Sequence, residues 1–407
     1  MIVEGFGSWF VYDSIERPLV PVVMDMERRG VLVDVPRLER MGEELVAKRE
    51  ALLAHWPGIN LTSHQQVKAK LWADWGIKTD SVDEPHLRKI LLTNPENNAK
   101  LLIDARLENQ ELVKMEGTYV RGLLKWVGRD GRIHARCNQV GAETGRTSYF
   151  NPNLQNIPVR KYPEFRECFI APDGYSLLAA DYSQVEYRVV AILAGEQGLI
   201  VAWYEDVNAD AHLATTLLLG LLIGGEPPEV VKRQRDKGKT LNFGLLYGLE
   251  DASLALALGV TLAEAKRLRH LYWERLAAIA AWVEGTKYQI LTEGYVETYF
   301  GRRNYVEIPD GAPRWLVEKM LREGVNMPVQ GTAADIEKIL MPQANALGET
   351  FGAGMNLMVH DEVVFEVPQG REEEFGAELQ ELGRNVVDIG VPLKLDVKYG
   401  HTWRDAH

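Results

Sequence analysis

Residues 356–367, "NLMVHDEVVFEV", hold the pattern on which the fold turns. Two apolar runs flank a short polar tip, which reads as a strand, a tight turn bearing Asp361 and Glu362, and a returning strand. Upstream, "YSLLAADYSQVEYRVVAIL" (175–193) reads as a buried strand ending near Asp181, followed by a helix that carries Glu186. An antiparallel sheet with one aspartate at a strand end and the other at a turn could bring Asp181 and Asp361 together. Around these segments the patterning is helical, over 34–56, from "INLTSHQQVKAKLW" to about 127, and again over about 206–319. The expected class is therefore α+β. Ser63 and Gln66 read as a capping box, and "LLTNPENN" (91–98) reads as a loop.

Two strand-linked carboxylates suit a two-metal phosphoryl-transfer centre. Mg²⁺ prefers oxygen ligands and is usually held by one or two carboxylates plus substrate phosphates. A pair of ions can activate an attacking oxygen and stabilise a leaving one. Taken alone, either aspartate is more often a plain strand-end or turn residue, and Glu362 is either a third ligand or an exposed neighbour. Asp25 and Glu27, in "VMDMERRG", mimic the Asp-x-Glu spacing of metal-dependent exonucleases. That reading is set aside, because the segment looks like the exposed face of a helix and no companion acidic motif follows.

In "RQRDKGKTLNFGLLYG" (233–248), Arg235, Lys239, Phe243 and Tyr247 recur every four residues. On a helix they form one stripe, about 18 Å from first to last at 1.5 Å per residue. Its cationic end suits phosphates and its aromatic end a flat base. In isolation the stripe is more readily a solvated basic turn running into a buried aromatic one.

The chain has 407 residues, 46% hydrophobic and 26% charged, as in ordinary globular proteins, and is long enough for two to four structural units. Its net charge of −12 argues mildly against a nucleic-acid partner. Local balance differs: Arg121 to Arg166 carries nine basic residues against three acids, and Lys232 to Lys239 five against one. Such strips on an acidic body suit a groove that holds a polyanion. The apolar run "LATTLLLGLLIGG" (213–225) is too short and glycine-rich to span a bilayer and reads as a buried helix. No secretory or transit pattern opens the sequence, and two cysteines, Cys137 and Cys168, make no disulfide framework, so a reducing interior is expected. The absence of a Gly-Lys-Ser/Thr phosphate loop argues against a motor NTPase.

"DYSQVEYR" (181–188), "RQRDKGKTLNFGLLYG" and "VHDEVVFEVP" (359–368), in this order and spacing, closely resemble motifs A, B and C of family A DNA polymerases, the bacterial polymerase I and phage replicase group. "ERPLVPVVMDMERRGVLVD", "TGRTSYFNPNLQNIP", "YFGRRN", "NMPVQGTAADIEK" and "VKYGHTWRDAH" support the match, which runs from Glu16 to His407. The resemblance implies a right-hand architecture with a helical thumb, a palm on an antiparallel sheet, and helical fingers. The boundaries it suggests are a lead-in (1–25), thumb (26–127), first palm part with motif A (128–205), fingers with motif B (206–319) and second palm part with motif C (320–407).

By the same resemblance, Asp181 and Asp361 hold two Mg²⁺ ions, for which Mn²⁺ can substitute, with the Tyr182 carbonyl as a further ligand and Glu362 as a secondary acid. Arg235 and Lys239 grip the incoming triphosphate, with Lys239 a candidate proton donor to pyrophosphate and His212 a further phosphate contact. Ser183, Gln184 and Phe243 belong to the same nucleotide site. Glu186 and Tyr247 exclude a ribose 2′-hydroxyl. Phe243, where some relatives carry Tyr, implies discrimination against dideoxynucleotides. Arg146, Asn153, Gln155, Arg322, Asn326, Gln330 and His360 look like contacts to the minor groove and backbone of primer-template DNA, where acceptors vary little among base pairs.

The implied activity is DNA-directed DNA synthesis from a primer 3′-hydroxyl with dNTPs. The implied protein is a monomer without a membrane partner, in the cytoplasm of a bacterium or a phage-infected cell, with accessory proteins unknown. Only about fifteen residues precede "ERPLV", so no proofreading exonuclease or 5′-nuclease domain is expected. A single-subunit RNA polymerase and a non-catalytic DNA-binding protein are the rival readings. Three residues depart from the family pattern: Asp236 stands where a second basic residue is frequent, Gly238 where Ala is common, which would loosen the helix, and Tyr187 where an aliphatic residue is usual beside Glu186.

Overall fold

A computed structural model describes residues 7–93, 99–159 and 161–407. The loop expected at "LLTNPENN" falls, from 94 to 98, outside the described residues, as do Arg160 of the first basic strip and the start of the lead-in. The described chain separates into two compact units, one of residues 7–30, 135–155 and 171–407, the other of 31–134 and 156–170.

The second unit is mainly helical. Asp34 caps the helix Val35–Ala54 by accepting from the Arg37 amide at 2.9 Å, one of the donors a helix start leaves open. The helices His64–Trp75, Glu84–Thr93 and Lys100–Lys114 follow, and Val67, Leu71, Leu87, Leu102 and Ile103 from them share a core. The capping box is half made: Ser63 accepts from the Gln66 amide at 3.3 Å, but the Gln66 side chain accepts from the Asn60 amide, which lies nearer along the incoming turn.

The first unit is built on a four-stranded antiparallel sheet of β1 (Tyr175–Tyr182), β2 (Gly354–Val359), β3 (Glu362–Pro368) and β4 (Leu395–Gly400), in the spatial order β4-β1-β3-β2. β2 is buried along its whole length and β3 up to Val367, which is why both read as continuous apolar runs rather than as alternation. Between them His360 takes φ 60 at the first position of a two-residue turn. Glu362 lies in β3 rather than in that turn, because it pairs with Val359 on one side and Asp181 on the other.

Seven helices of this unit bear on the site: α1 (Arg17–Arg29), α2 (Val185–Ala194), α3 (Ala211–Leu218), α4 (Pro228–Leu246), α5 (Leu262–Arg275), α6 (Arg314–Phe351) and α7 (Glu372–Asn385). The apolar run from Leu213 is helical only to Leu218, and Gly220 at φ 66 turns the chain away, leaving Ile223 exposed. α6 is anchored through a buried ion network: Arg302 pairs with Asp335 at 2.6 Å and with Glu16 at 2.5 Å, and Lys338 pairs with Glu16 at 2.6 Å. Each buried charge there has a partner, as burial requires. Among the described residues no helix is long and apolar enough to cross a membrane.

Candidate active site

The sheet register builds the acidic end of the site. Asp181 of β1 lies opposite Glu362 on one side and Asp396 of β4 on the other, and the Tyr182 amide donates to the Asp361 carbonyl at 3.4 Å. Burial first, and then the negative charges of Asp361, Glu362 and Asp396, push the Asp181 carboxyl up to about 8. Asp361 is raised as well, mainly by burial and by Glu186. Burial and like charge both favour the neutral form of a carboxyl. Hard oxygen donors under mutual repulsion fit divalent cations such as Mg²⁺. No cluster of three or more His, Cys, Asp or Glu converges on a point among the described residues, so an ion here would complete its shell with carbonyl, water and substrate oxygens.

Glu362 is engaged differently. It is buried, and it accepts from the Trp403 indole and from His407 Nδ1, each at 2.7 Å. Both oxygens thus hold "HTWRDAH" against the β2–β3 hairpin.

A sharp turn joins β1 to α2. Gln184 sits there at φ 56, and its side-chain oxygen accepts from the Ala211 amide at 3.0 Å, tying the turn to the start of α3. Ser183 is half-buried. Arg188, from α2, donates to the carbonyls of Ser183, Pro392 and Val207 at 3.2, 2.5 and 2.7 Å and lies over the Trp203 ring. Burial lowers its guanidinium to about 10, still charged at neutral pH.

Glu186 projects from the first turn of α2 and is bonded on both oxygens, by Arg146 and by the Tyr247 hydroxyl, each at 2.5 Å. The cation and aromatic stripe lies on α4 as its spacing predicts, except that Tyr247 stands one residue past the helix end. Arg235 pairs with Asp210 at 2.5 Å, and Asp210 also caps α3 by accepting from the Leu213 amide. Lys239 is exposed, 6.0 Å from the Phe243 ring centre, and Phe243 in turn packs near Tyr247. His212 is buried against Phe243 and Tyr187.

Gly238 does not loosen α4. A Cβ there would stand 2.2 Å from the His212 carbonyl oxygen, so the missing side chain is what lets α4 close on α3. Asp236 is exposed.

Arg322, Asn326 and Gln330 recur every four residues along α6, all half-buried. Gln330 lies near the Tyr247 hydroxyl, and Arg322 lies against Gly248. Asn153 and Gln155 stabilise their own turn: Asn153 accepts from the Gln155 amide at 3.0 Å, and Gln155 donates to the Thr147 carbonyl at 3.1 Å. His360 is exposed at the hairpin tip. Asp25 pairs with Arg28, and Glu27 with Arg136 and the Cys137 amide.

Sequence reasoning missed four residues. Asp210 had a legible signal, an aspartate just before a helix. Arg188 stood inside "DYSQVEYR", but its carbonyl partners are distant in sequence. Asn242 and Glu337 gave none: each looks like an interior helix residue, and only packing shows its surroundings.

The aspartate-bearing sheet and the helix with the cation and aromatic stripe belong to a polymerase fold. The chain belongs to DNA polymerase family A, whose model matches residues 37–405. It is 38% identical over 410 residues to the thermostable DNA polymerase I of Thermus filiformis, covering 98% of this chain and 48% of that protein. DNA polymerase I of Pseudomonas aeruginosa is 37% identical over 413 residues, covering 98% and 44%. The chain thus spans about half the length of the curated relatives it matches. Among solved structures, the POL domain of Pol1 from M. smegmatis, in complex with DNA primer-template and dNTP, superposes with a TM-score of 0.87 at 32% identity, covering 98% of this chain and 72% of that one.

Proposed function

We propose that this chain extends a primer 3′-hydroxyl on a DNA template with dNTPs. The observation that carries the reading is the register that sets Asp181 beside the Asp361 hairpin, with Glu186 linking α2 to Tyr247 at the end of the α4 stripe. Binding of primer-template and dNTP by the M. smegmatis POL domain supports it.

Asp181 and Asp361, with the Tyr182 carbonyl, would hold two Mg²⁺ ions, or Mn²⁺, which supply Lewis acidity for activating the primer hydroxyl and neutralising the departing pyrophosphate. Arg235 and Lys239 grip the triphosphate, and the Lys239 ammonium gives a proton to the leaving oxygen. Arg235 is already oriented by Asp210, which lowers the cost of positioning it. Phe243 packs on the sugar and base. Glu186, pinned by Arg146 and Tyr247, forms a wall that a deoxyribose clears and a ribose does not. Arg146, Arg322, Asn326 and Gln330 face the minor groove, with Asn153, Gln155 and His360 at its margin. Glu362 positions the hairpin through Trp403 and His407 rather than acting on substrate. We assign no excision chemistry to Asp25 and Glu27, whose carboxylates are taken up by Arg28 and by Arg136 with the Cys137 amide.

Extension of a labelled primer with Mg²⁺ and dNTPs, run beside Asp181→Ala and with a mismatched terminus, tests the reading. Loss of several kcal/mol of transition-state stabilisation, on the order of a thousandfold in rate, is expected for the variant. Equal extension by the variant, or preference for rNTPs by the wild type, would overturn it. DNA binding without extension would favour the binding-protein reading.

A further inference from the structure

Tyr187, the departure beside Glu186, is fully buried, and its hydroxyl donates to the Asn242 amide oxygen at 2.9 Å. The Tyr272 hydroxyl of α5 lies 3.2 Å from it and completes a chain that runs one way, from Tyr272 to Tyr187 to Asn242. The Thr215 hydroxyl of α3 lies 2.9 Å from the same amide oxygen and also 2.9 Å from the Ala211 carbonyl, so its single proton serves one of the two. With that oxygen accepting the Tyr187 proton, the Asn242 NH₂ faces His212 Nδ1, 2.9 Å away. Nδ1 must then be the nitrogen with the lone pair, and a neutral imidazole so arranged carries its proton on Nε2.

We propose that Tyr187 is a positioning residue that, through Asn242, fixes the His212 tautomer so that Nε2–H is available to an anion, the triphosphate of the incoming nucleotide. The identity of the anion rests on the function proposed above. His212 Nε2 has no hydrogen-bond partner among the described residues. Asp210, Arg235 and Lys239 are the charged groups around the ring, and burial pushes its pKa down to about 4, so it donates as a neutral group. Were the amide turned over, its oxygen would accept from Nδ1–H, and a bare lone pair on Nε2 would face the anion. The amide orientation therefore decides between attraction and repulsion, and the Tyr187 hydroxyl, ordered by Tyr272, holds it.

The test combines nitrogen NMR of ¹⁵N-histidine-labelled protein, with His212 assigned by His212→Gln, and steady-state kinetics of Tyr187→Phe, which keeps the ring and removes only the hydroxyl. Expected are an Nε2–H tautomer in the wild type, a mixture in the variant, and a dNTP KM raised about fivefold with kcat within about twofold, the effect of one net hydrogen bond. In the His212→Gln background, Tyr187→Phe should add no further change in KM. An Nδ1–H tautomer in the wild type, an unchanged tautomer in the variant, or the same KM increase in both backgrounds would overturn the proposal. Thr215→Val removes the second hydroxyl within reach of the amide oxygen and should shift the tautomer in the same sense, which covers a failure of Tyr187→Phe to fold. The NMR readout does not depend on synthesis, so inert protein with the Nε2–H tautomer would sink the proposed function and leave the tautomer assignment standing.

Discussion

Glu337, on α6, is buried, and neither of its carboxylate oxygens has a hydrogen-bond partner among the described residues. Burial, with Asp361 next, holds its carboxyl well above the ordinary 4.5, so the folded protein keeps a proton that the unfolded chain gives up. As pH rises above about 4.5 the unfolded state is progressively favoured, because ionisation is open to it alone. Glu337→Met, which fills a similar volume without polar atoms, is expected to stabilise the protein by roughly 1–3 kcal/mol, more at pH 8 than at pH 5. Thermal melts in chelator at the two pH values check this, and a variant less stable at both would mean that the carboxyl has a stabilising role. Arg188 is the contrast: a buried charge whose three carbonyl partners and stacked indole satisfy it, at the root of the turn that follows Asp181.

Between α3 and α4 the decisive contact is a side chain that is missing. Gly238→Ala should gain about 1 kcal/mol of helix propensity. The new Cβ would meet backbone at 2.2 Å, so overpacking of up to about 3 kcal/mol should outweigh that gain and leave a lower melting temperature together with weaker dNTP binding. An unchanged or higher melting temperature would show that the two helices separate freely. At this scale the sequence was informative where one element carries its own signal: the apolar runs around Asp361 marked a hairpin, the four-residue spacing from Arg235 marked a helix, and Asp34 lies at a helix start that Pro36 had already announced. It was silent where two elements must meet. The pairing of Asp181 with Glu362 depends on strand register, the role of Gly238 on the nearness of His212, and the bond from Tyr187 to Asn242 on a crossing of α2 with α4. The resemblance to the family supplied the candidate residues, while the hydrogen bonds that hold Glu186, Glu362 and Arg235 came only with the packing.

For the molecule as a whole, a net charge of −12 coexists with local excesses of +6 and +4 in Arg121–Arg166 and Lys232–Lys239. If these strips meet a DNA backbone through about four to six phosphate contacts, raising salt from 50 to 200 mM should weaken primer-template binding by roughly a hundredfold to a thousandfold. Fluorescence anisotropy across that range measures the slope, and a flat response would remove the strips from the DNA interface. The strand order carries a consequence in time. β1 lies between β3 and β4, so residues 175–182 wait for partners at 362–368 and 395–400. Helices such as α2 and α4 can form from local contacts while the polypeptide is still being synthesised, whereas closing the sheet requires loops of nearly two hundred residues and the last strand to leave the ribosome. The aspartates therefore come together late, and a nascent chain stalled before residue 362 would carry every residue proposed to touch substrate without an assembled catalytic centre.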